Sequence, residues 1–188
     1  MIVNCSCADL TMTLTDMHTA YIGLGANLPS LAGSPAETIE AAFRALSKIG
    51  EVGARSSLYE TAPVGLVDQP SFANAVAALR TAAAPEVLLE QLLVIERSFG
   101  RDRSRSTPKG PRTLDLDLLL VDDLIVSTSS LTLPHPALTE RRFVLAPLAE
   151  IAPERIHPVL RRTMRELLDS LPDTGANSIN AVHILTRP

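Results

Sequence analysis

Two amphipathic helical segments, residues 34–50 and 85–100, limit the folds that this chain can adopt. Ser34 can cap the first helix and Glu37 completes a capping box, while proline opens both segments and glycine closes them. Apolar residues recur at helical spacing in each: Ile39, Ala42, Phe43, Leu46 and Ile49 in the first, and Leu88, Leu92, Ile95 and Phe99 in the second. Each helix is therefore expected to pack one face against a core.

Strand-like segments surround these helices in a defined order. Residues 20–27 precede the first helix, residues 51–60 and 72–81 lie between the helices, and the leucine-rich residues 110–120 follow the second. The order strand, helix, strand, strand, helix, strand predicts an α+β protein with a ferredoxin-like βαββαβ core. In this fold an antiparallel sheet carries both helices on one face.

Additions are expected after this core. Residues 124–133 are predicted to form a strand that pairs with the leucine-rich segment. Residues 141–153 are predicted to form a short helix, and residues 162–171 a further amphipathic stretch.

The length of 188 residues fits one domain with one core. We predict a single domain over residues 19–188, preceded by a disordered extension over residues 1–18. Cys5 and Cys7 in this extension could bind a metal, but no second pair completes four ligands. A reduced protein of the cytosol is the simpler interpretation.

Charge and hydropathy narrow the possible partners. No apolar run approaches the roughly 18 residues of a membrane span, and the N-terminus lacks the features of a signal peptide. The net charge of −4 gives no general attraction to nucleic acid or anionic lipid. We expect a cytoplasmic monomer that acts on small molecules, with neither a nucleic-acid nor a membrane partner.

Two aspartates interrupt the leucine-rich strand. Side chains alternate along a strand, so Asp115 and Asp117 point the same way, roughly 6–7 Å apart. The leucines between and around them, Leu114, Leu116 and Leu118, then face the helices. Paired carboxylates suit a hard cation such as Mg²⁺, completed by water and substrate phosphates. The alternative is a solvated sheet face with no metal.

A basic loop leads into this strand. It carries five cations in an otherwise acidic chain: Arg101, Arg103, Arg105, Lys109 and Arg112. Beside a carboxylate strand, such a loop could hold the oxygens of a polyphosphate–metal complex. A solvated, merely charged loop is the alternative. No glycine-rich phosphate loop of the common nucleotide-binding folds is present.

Four other residues could complete a site. His135 is fixed between two prolines and could contact a phosphate, although a lone histidine is more often structural. Asn74 and Phe72 alternate along one strand and can share a face. Phe72 and Phe143 could enclose a flat heterocycle or simply belong to the core.

Several stretches together resemble the 6-hydroxymethyl-7,8-dihydropterin pyrophosphokinase family. They are YIGLGANL, SSLYETAPVG, DQPSFANAV, the IERSFGRDR run, GPRTLDLDLLL and LPHPALTERRFVLAPLAEIAP, over roughly residues 20–155. The resemblance implies the ferredoxin-like fold. It also implies a folate-pathway reaction in which ATP and the hydroxymethyl-dihydropterin give AMP and the pterin diphosphate.

The resemblance also implies roles for individual residues. Asp115 and Asp117 would hold two Mg²⁺ ions that arrive with ATP, so their cationic partner is not expected within the chain. The ATP-binding side chains would be Arg101, Arg103, Arg112, His135 and Arg141, with Arg101 and Arg112 also catalytic. The pterin site would be formed by Thr61, Val64, Phe72, Asn74 and Phe143.

The chain differs from some members of the family at one position of the loop, and two other functions are possible for its charged residues. Lys109 stands where some members of the family have tryptophan, which puts stacking by the loop in doubt. One rival is a metal-dependent hydrolase or nuclease, which the acidic net charge disfavours. Another is a non-catalytic binding protein, which would be expected to lose Asp115 or Asp117; both are present.

Overall fold

The computed structural model describes residues 17–63, 68–103, 110–172, 174 and 182–186. The elements, in chain order, are β1 (His18–Ala26), α1 (Pro35–Leu46), β2 (Glu51–Arg55), β3 (Leu58–Thr61), β4 (Phe72–Thr81), α2 (Pro85–Ser98), β5 (Asp115–Val121), β6 (Val126–Ser127), β7 (Thr132–Leu133), α3 (Arg142–Ile151), α4 (Met164–Asp169) and β8 (Val182–Thr186). The predicted extension lies almost entirely outside the described residues and stays a prediction, although β1 already begins at His18.

The main sheet has the predicted ferredoxin-like arrangement. Its described strands run in the order β5-β1-β4-β3-β8, with β2 also paired to β4. Every pairing is antiparallel. The central strands of this sheet are β1 and β4. Gly25 of β1 lies opposite Asn74 of β4 on one side and opposite Asp115 of β5 on the other, so these three residues are neighbours in the sheet.

Helices α1 and α2 begin where the sequence predicts. Ser34 accepts a hydrogen bond from the backbone N–H of Glu37, and the Glu37 carboxylate accepts one from the backbone N–H of Ser34. This capping box satisfies amides that the first helical turn leaves open. Helix α2 starts at Pro85 and ends at Ser98, within the predicted range.

Two strand predictions need correction. The segment 51–60 forms two strands rather than one, because Ser56 and Ser57 lie between β2 and β3. The backbone N–H of Ser56 donates to the Val76 carbonyl, while the Ser56 hydroxyl accepts from the backbone N–H of Val76 and donates to the Ser57 carbonyl, so a side chain takes part in the bonding where the two strands separate. The segment 124–133 does not extend the main sheet, because β6 and β7 pair with each other in a small hairpin.

The two faces of the sheet pack against different helices. On one face, Leu114, Leu116 and Leu118 join the core with α1 and α2, as predicted. On the other face, the two C-terminal helices cover Leu119 and Val76 with their apolar residues. The C-terminal additions leave the end of this second face near Asp115 open as a cleft. Among the described residues, no helix is long and apolar enough to cross a membrane.

Candidate active site

A cleft opens on the second face of the sheet, where β1 and β3 end and β4 and β5 begin. Its lining brings together eight of the residues predicted for the site: Thr61, Phe72, Asn74, Arg112, Asp115, Asp117, Arg141 and Phe143. Arg101 and Arg103, which follow α2, both pair with the carboxylate of Asp115. Val64 lies outside the described residues. The sequence therefore predicted a set of residues that the fold gathers in one place.

Gly25 in β1 provides space for a side chain at the floor of the cleft. A Cβ atom at Gly25 would lie 3.1 Å from the Asn74 Oδ1 atom, closer than ordinary van der Waals contact. Asn74 is buried, and its Nδ2 donates to the Thr61 hydroxyl at 2.7 Å. This bond orients the amide. Glycine at position 25 thus leaves Asn74 room at the base of the cleft.

Aromatic rings and guanidinium groups meet at the walls of the cleft. The Cζ atom of Arg112 lies 5.3 Å from the ring centre of Phe72, and that of Arg141 lies 5.8 Å from the ring centre of Phe143. Such distances give favourable cation–π contacts. Phe72 and Phe143 therefore belong to the site rather than to the core alone, since both rings are part of the cleft lining.

Asp115 is surrounded by arginines. Its carboxylate pairs with Arg112, with Arg101 at 3.3 Å and with Arg103 at 3.7 Å. The expectation that the cationic partner of the aspartates lies outside the chain is therefore wrong for Asp115. Arg101 and Arg103, which follow α2, and Arg112, which precedes β5, approach this carboxylate because the acid and the guanidinium groups neutralise each other in a largely buried place.

Asp117 differs from its neighbour. Burial raises the pKa of its carboxyl group, and the nearby charge of Asp115 raises it further; His135 acts in the opposite direction. Within the described part of the chain, Asp117 makes no ion pair like those of Asp115. A carboxylate in this setting favours the arrival of a cation.

Glu96 is a site residue that the sequence analysis missed. Its carboxylate is 1% exposed and accepts two bonds from Arg103, at 2.8 and 2.7 Å. It also accepts a 2.8 Å bond from the backbone N–H of Leu116, between the two aspartates. The bond to Glu96 raises the pKa of Arg103. The available signal was a carboxylate four residues after Leu92, on the apolar stripe of α2.

His135 and Arg101 are not part of the cleft lining but act on its two aspartates, His135 on Asp117 and Arg101 on Asp115. The backbone N–H of His135 donates to the Leu119 carbonyl, and its Nδ1 accepts from the backbone of Ala137. The first bond ties the backbone of His135 to β5 and the second orients its ring, close enough for its charge to act on Asp117. The Nε atom of Arg101 is buried and has no hydrogen-bond partner within the described residues. An unpaired buried donor of this kind suits an anionic ligand.

Metal ligation in this cleft would draw on two carboxylates. Among the described residues, no group of three or more histidine, cysteine, aspartate or glutamate side chains lies together as a metal site. Asp115 and Asp117 share one face of β5 and both line the cleft. Their oxygen atoms are the type of donor that Mg²⁺ prefers. The donor set therefore fits a hard cation that brings other ligands with it.

The fold and the cleft together define an α+β protein whose cleft is lined by carboxylates, guanidinium groups and aromatic rings. A model of one family matches residues 21–153, that of 7,8-dihydro-6-hydroxymethylpterin-pyrophosphokinase (HPPK). The chain is 42% identical over 144 residues to the 2-amino-4-hydroxy-6-hydroxymethyldihydropteridine pyrophosphokinase of Haemophilus influenzae, covering 76% of this chain and 86% of that protein. It is 43% identical over 161 residues to the protein of that name in Pseudomonas aeruginosa, covering 85% and 95%. The chain belongs to the HPPK family.

Two longer proteins match over part of their length. The Folic acid synthesis protein fol1 of Schizosaccharomyces pombe is 39% identical over 163 residues, which are 86% of this chain and 21% of that protein. The chain thus spans about a fifth of that relative. The structure of Plasmodium falciparum HPPK-DHPS wild type has a TM-score of 0.63 at 17% identity, covering 81% of this chain and 44% of that one. This likeness supports the fold.

Proposed function

We propose that this chain transfers the pyrophosphoryl group of ATP to 6-hydroxymethyl-7,8-dihydropterin, giving AMP and the pterin diphosphate in folate biosynthesis. Membership of the HPPK family and the named relatives support this reaction. The observation that carries the proposal is the composition of the cleft. It combines two carboxylates, two guanidinium groups and two aromatic rings beside a buried amide, and Arg101 and Arg103 pair with one of the carboxylates.

The pterin binds at the aromatic side of the cleft. Its flat heterocycle stacks against Phe72 and Phe143, and the amide of Asn74 meets its polar edge. The bond from Asn74 to Thr61 supports this role, because it presets the direction of the amide. The backbone of Thr61 and of Val64 would complete the pocket.

ATP binds at the cationic side. Arg101, Arg103 and Arg112 are the side chains that hold its phosphate oxygens, and His135 and Arg141 add contacts at the rim. Guanidinium groups suit this task because they bind phosphate with two parallel hydrogen bonds. All three arginines converge on the carboxylate of Asp115, so they are gathered where the phosphates would lie.

Asp115 and Asp117 would hold the metal that enters with ATP, which we propose to be two Mg²⁺ ions. The metal supplies neutralisation of the charge that builds up on the phosphate oxygens. The Asp117 carboxyl group, whose pKa is raised by burial and by Asp115, would be stabilised as a carboxylate by a cation held there. The arginines now paired with Asp115 would then be available to the phosphates.

The transfer itself requires alignment. The hydroxymethyl oxygen of the pterin attacks the β-phosphorus of ATP, and a new oxygen–phosphorus bond forms. The bond from that phosphorus to the oxygen of the α-phosphate breaks, AMP leaves, and the hydroxyl proton passes to solvent. Positioning and charge neutralisation provide most of the catalysis in reactions of this type.

A coupled assay of AMP formation tests the proposal. Purified protein receives ATP and Mg²⁺, with or without 6-hydroxymethyl-7,8-dihydropterin. AMP should form only when the pterin is present, and it should not form when EDTA replaces Mg²⁺. Formation of AMP at the same rate without the pterin would contradict the proposal. We also propose that the protein is a monomer of the cytoplasm.

A further inference from the structure

Asn27 lies directly after β1 and joins the two sides of the cleft, although it is not part of the cleft lining. It is 2% exposed. Its Nδ2 donates to the Gln69 Oε1 atom at 3.0 Å and to the Pro70 carbonyl at 3.1 Å. Its Oδ1 accepts a bond of 2.7 Å from the backbone N–H of Arg112. One side chain thus connects the loop before β4 with the segment before β5.

The chemistry of the partners fixes the orientation of this amide. The N–H of Arg112 can only donate, and the carbonyl of Pro70 can only accept. The oxygen of Asn27 must therefore face Arg112, and its nitrogen must face Pro70. Both hydrogens of the nitrogen are used. Aspartate has the same shape but would place a carboxylate oxygen against the carbonyl of Pro70.

The peptide groups on both sides of Arg112 are held. Its carbonyl accepts bonds from the backbone N–H groups of Asn27 and Leu28, each 3.0 Å long. With the backbone fixed in this way, the guanidinium group pairs with Asp115 and lies over the ring of Phe72. Asn27 therefore controls a side chain that touches both halves of the cleft.

Asn27 also acts on the aromatic side. Pro70 is two residues before Phe72, the first residue of β4. A bond to the Pro70 carbonyl restrains the chain where it enters that strand. The distance between the ring of Phe72 and the backbone of Arg112 is thus set by one buried amide and by the pairing of β1 with β4.

We propose that Asn27 is a positioning residue for the transfer reaction. It holds the entry to Phe72 and the backbone of Arg112 in a fixed relation, so that the pterin and the phosphates of ATP are aligned. This inference rests on the proposed function. A purely structural amide would contribute to stability alone, whereas a positioning amide contributes to kcat through Arg112.

Asn27→Asp is the first test. We expect kcat to fall about 30- to 100-fold, because a small misplacement of aligned groups costs rates of this order. The KM for ATP should change less than about threefold, since the phosphate ligands remain. Thermal unfolding of the same sample reports the stability loss. A variant with lowered stability and unchanged kcat would overturn the proposal.

Thr81→Val is the matched control. Thr81 is 3% exposed and lies at the opposite end of β4, where it pairs with His18. Its hydroxyl donates to the Ile49 carbonyl and accepts from the N–H of Ala83. The variant should lose stability and keep the kcat of the wild type. If it lowers kcat as much as Asn27→Asp does, buried hydrogen bonds in general explain the effect and the proposal fails.

A double-mutant cycle with Arg112→Ala tests the route of the effect. If Asn27 acts through Arg112, adding Asn27→Asp to Arg112→Ala should lower kcat by less than about threefold further. Fully additive losses would overturn the proposal. Should Asn27→Asp not fold, Gln69→Ala removes one of the three bonds and should lower kcat about threefold; no change in kcat contradicts the proposal. Wild-type protein that forms no AMP with the pterin refutes the proposed function itself.

Discussion

The two faces of β5 divide stability from chemistry. Leu116 and Leu118 point to one face together with Leu114, the residue directly before the strand, and these leucines are 1%, 3% and 0% exposed. Asp115 and Asp117 point to the other face and line the cleft. The apolar face anchors the strand, so the other face can carry two carboxylates that repel each other. One short segment, Leu114 and the strand that follows it, thus contributes to the core and presents the reactive groups.

The largest effect is expected on the aspartate face. Asp117→Asn should lower the rate of AMP formation at least about 1,000-fold, because a neutral amide no longer offers the negative charge that a metal needs. Thermal unfolding should show a stability equal to or higher than that of the wild type, since a buried charge has been removed. A variant that keeps substantial activity would contradict the metal role of Asp117.

The leucine face should respond in the opposite way. Leu118→Ala leaves a cavity against the helices and should reduce the free energy of unfolding by about 2–5 kcal/mol. The kcat of the molecules that remain folded should stay within about threefold of the wild type. Denaturant unfolding and kinetics on the same preparation measure both quantities. A large loss of kcat at unchanged stability would break the division between the two faces.

Glu96→Gln probes a residue that serves both faces. Glu96 belongs to the apolar side of the strand but holds Arg103, which reaches Asp115 on the other side. Loss of the charge weakens the paired hydrogen bonds, and we expect kcat to fall about tenfold. The bond from the Leu116 N–H can be kept by the amide oxygen. Comparison with Asp117→Asn under the same conditions checks the order, and an equal or larger loss in Glu96→Gln would contradict it.

The smallest predicted effect is on the pH dependence of stability and comes from a histidine outside β5. His157 is buried, and burial lowers its pKa. Its Nδ1 accepts bonds from the backbone of Val159 and Leu160, which the protonated ring could not do. The resulting stability is present above the ordinary histidine pKa of about 6.5 and is lost as the pH falls through the lowered value in the folded protein.

The matched variant for this prediction is His157→Gln. The midpoint temperature of thermal unfolding should decrease less steeply in the variant than in the wild type as the pH is lowered below about 6.5. Activity at neutral pH should be the same in both, because His157 lies outside the cleft. Identical pH profiles of stability would show that this ring does not contribute.

The sequence was most informative where interactions are local. The capping box of Ser34 and Glu37 spans four residues, and the alternation of Asp115 with the leucines follows from strand geometry alone. The resemblance to a family added the pterin and ATP residues. Each of these predictions depends on neighbours in the chain or on motifs read in order.

Contacts between distant segments could not be predicted in this way. Asn27 reaches residues 42 and 85 positions away, and no pattern around it indicates those partners. Arg101, Arg103 and Arg112 pair with Asp115 because separate segments meet there, which only the fold establishes. The hairpin of β6 and β7 was likewise missed, since an alternating polar stretch fits either partner strand.

Transfer of a labelled phosphate tests the central claim most directly. ATP labelled at the β-phosphate is incubated with the protein, Mg²⁺ and 6-hydroxymethyl-7,8-dihydropterin, and the products are separated. The account predicts that the label appears in the pterin diphosphate in equal amount to the AMP formed, and that Asp117→Asn abolishes both. Label found in ADP, free phosphate or free pyrophosphate, with none in the pterin, would contradict the account.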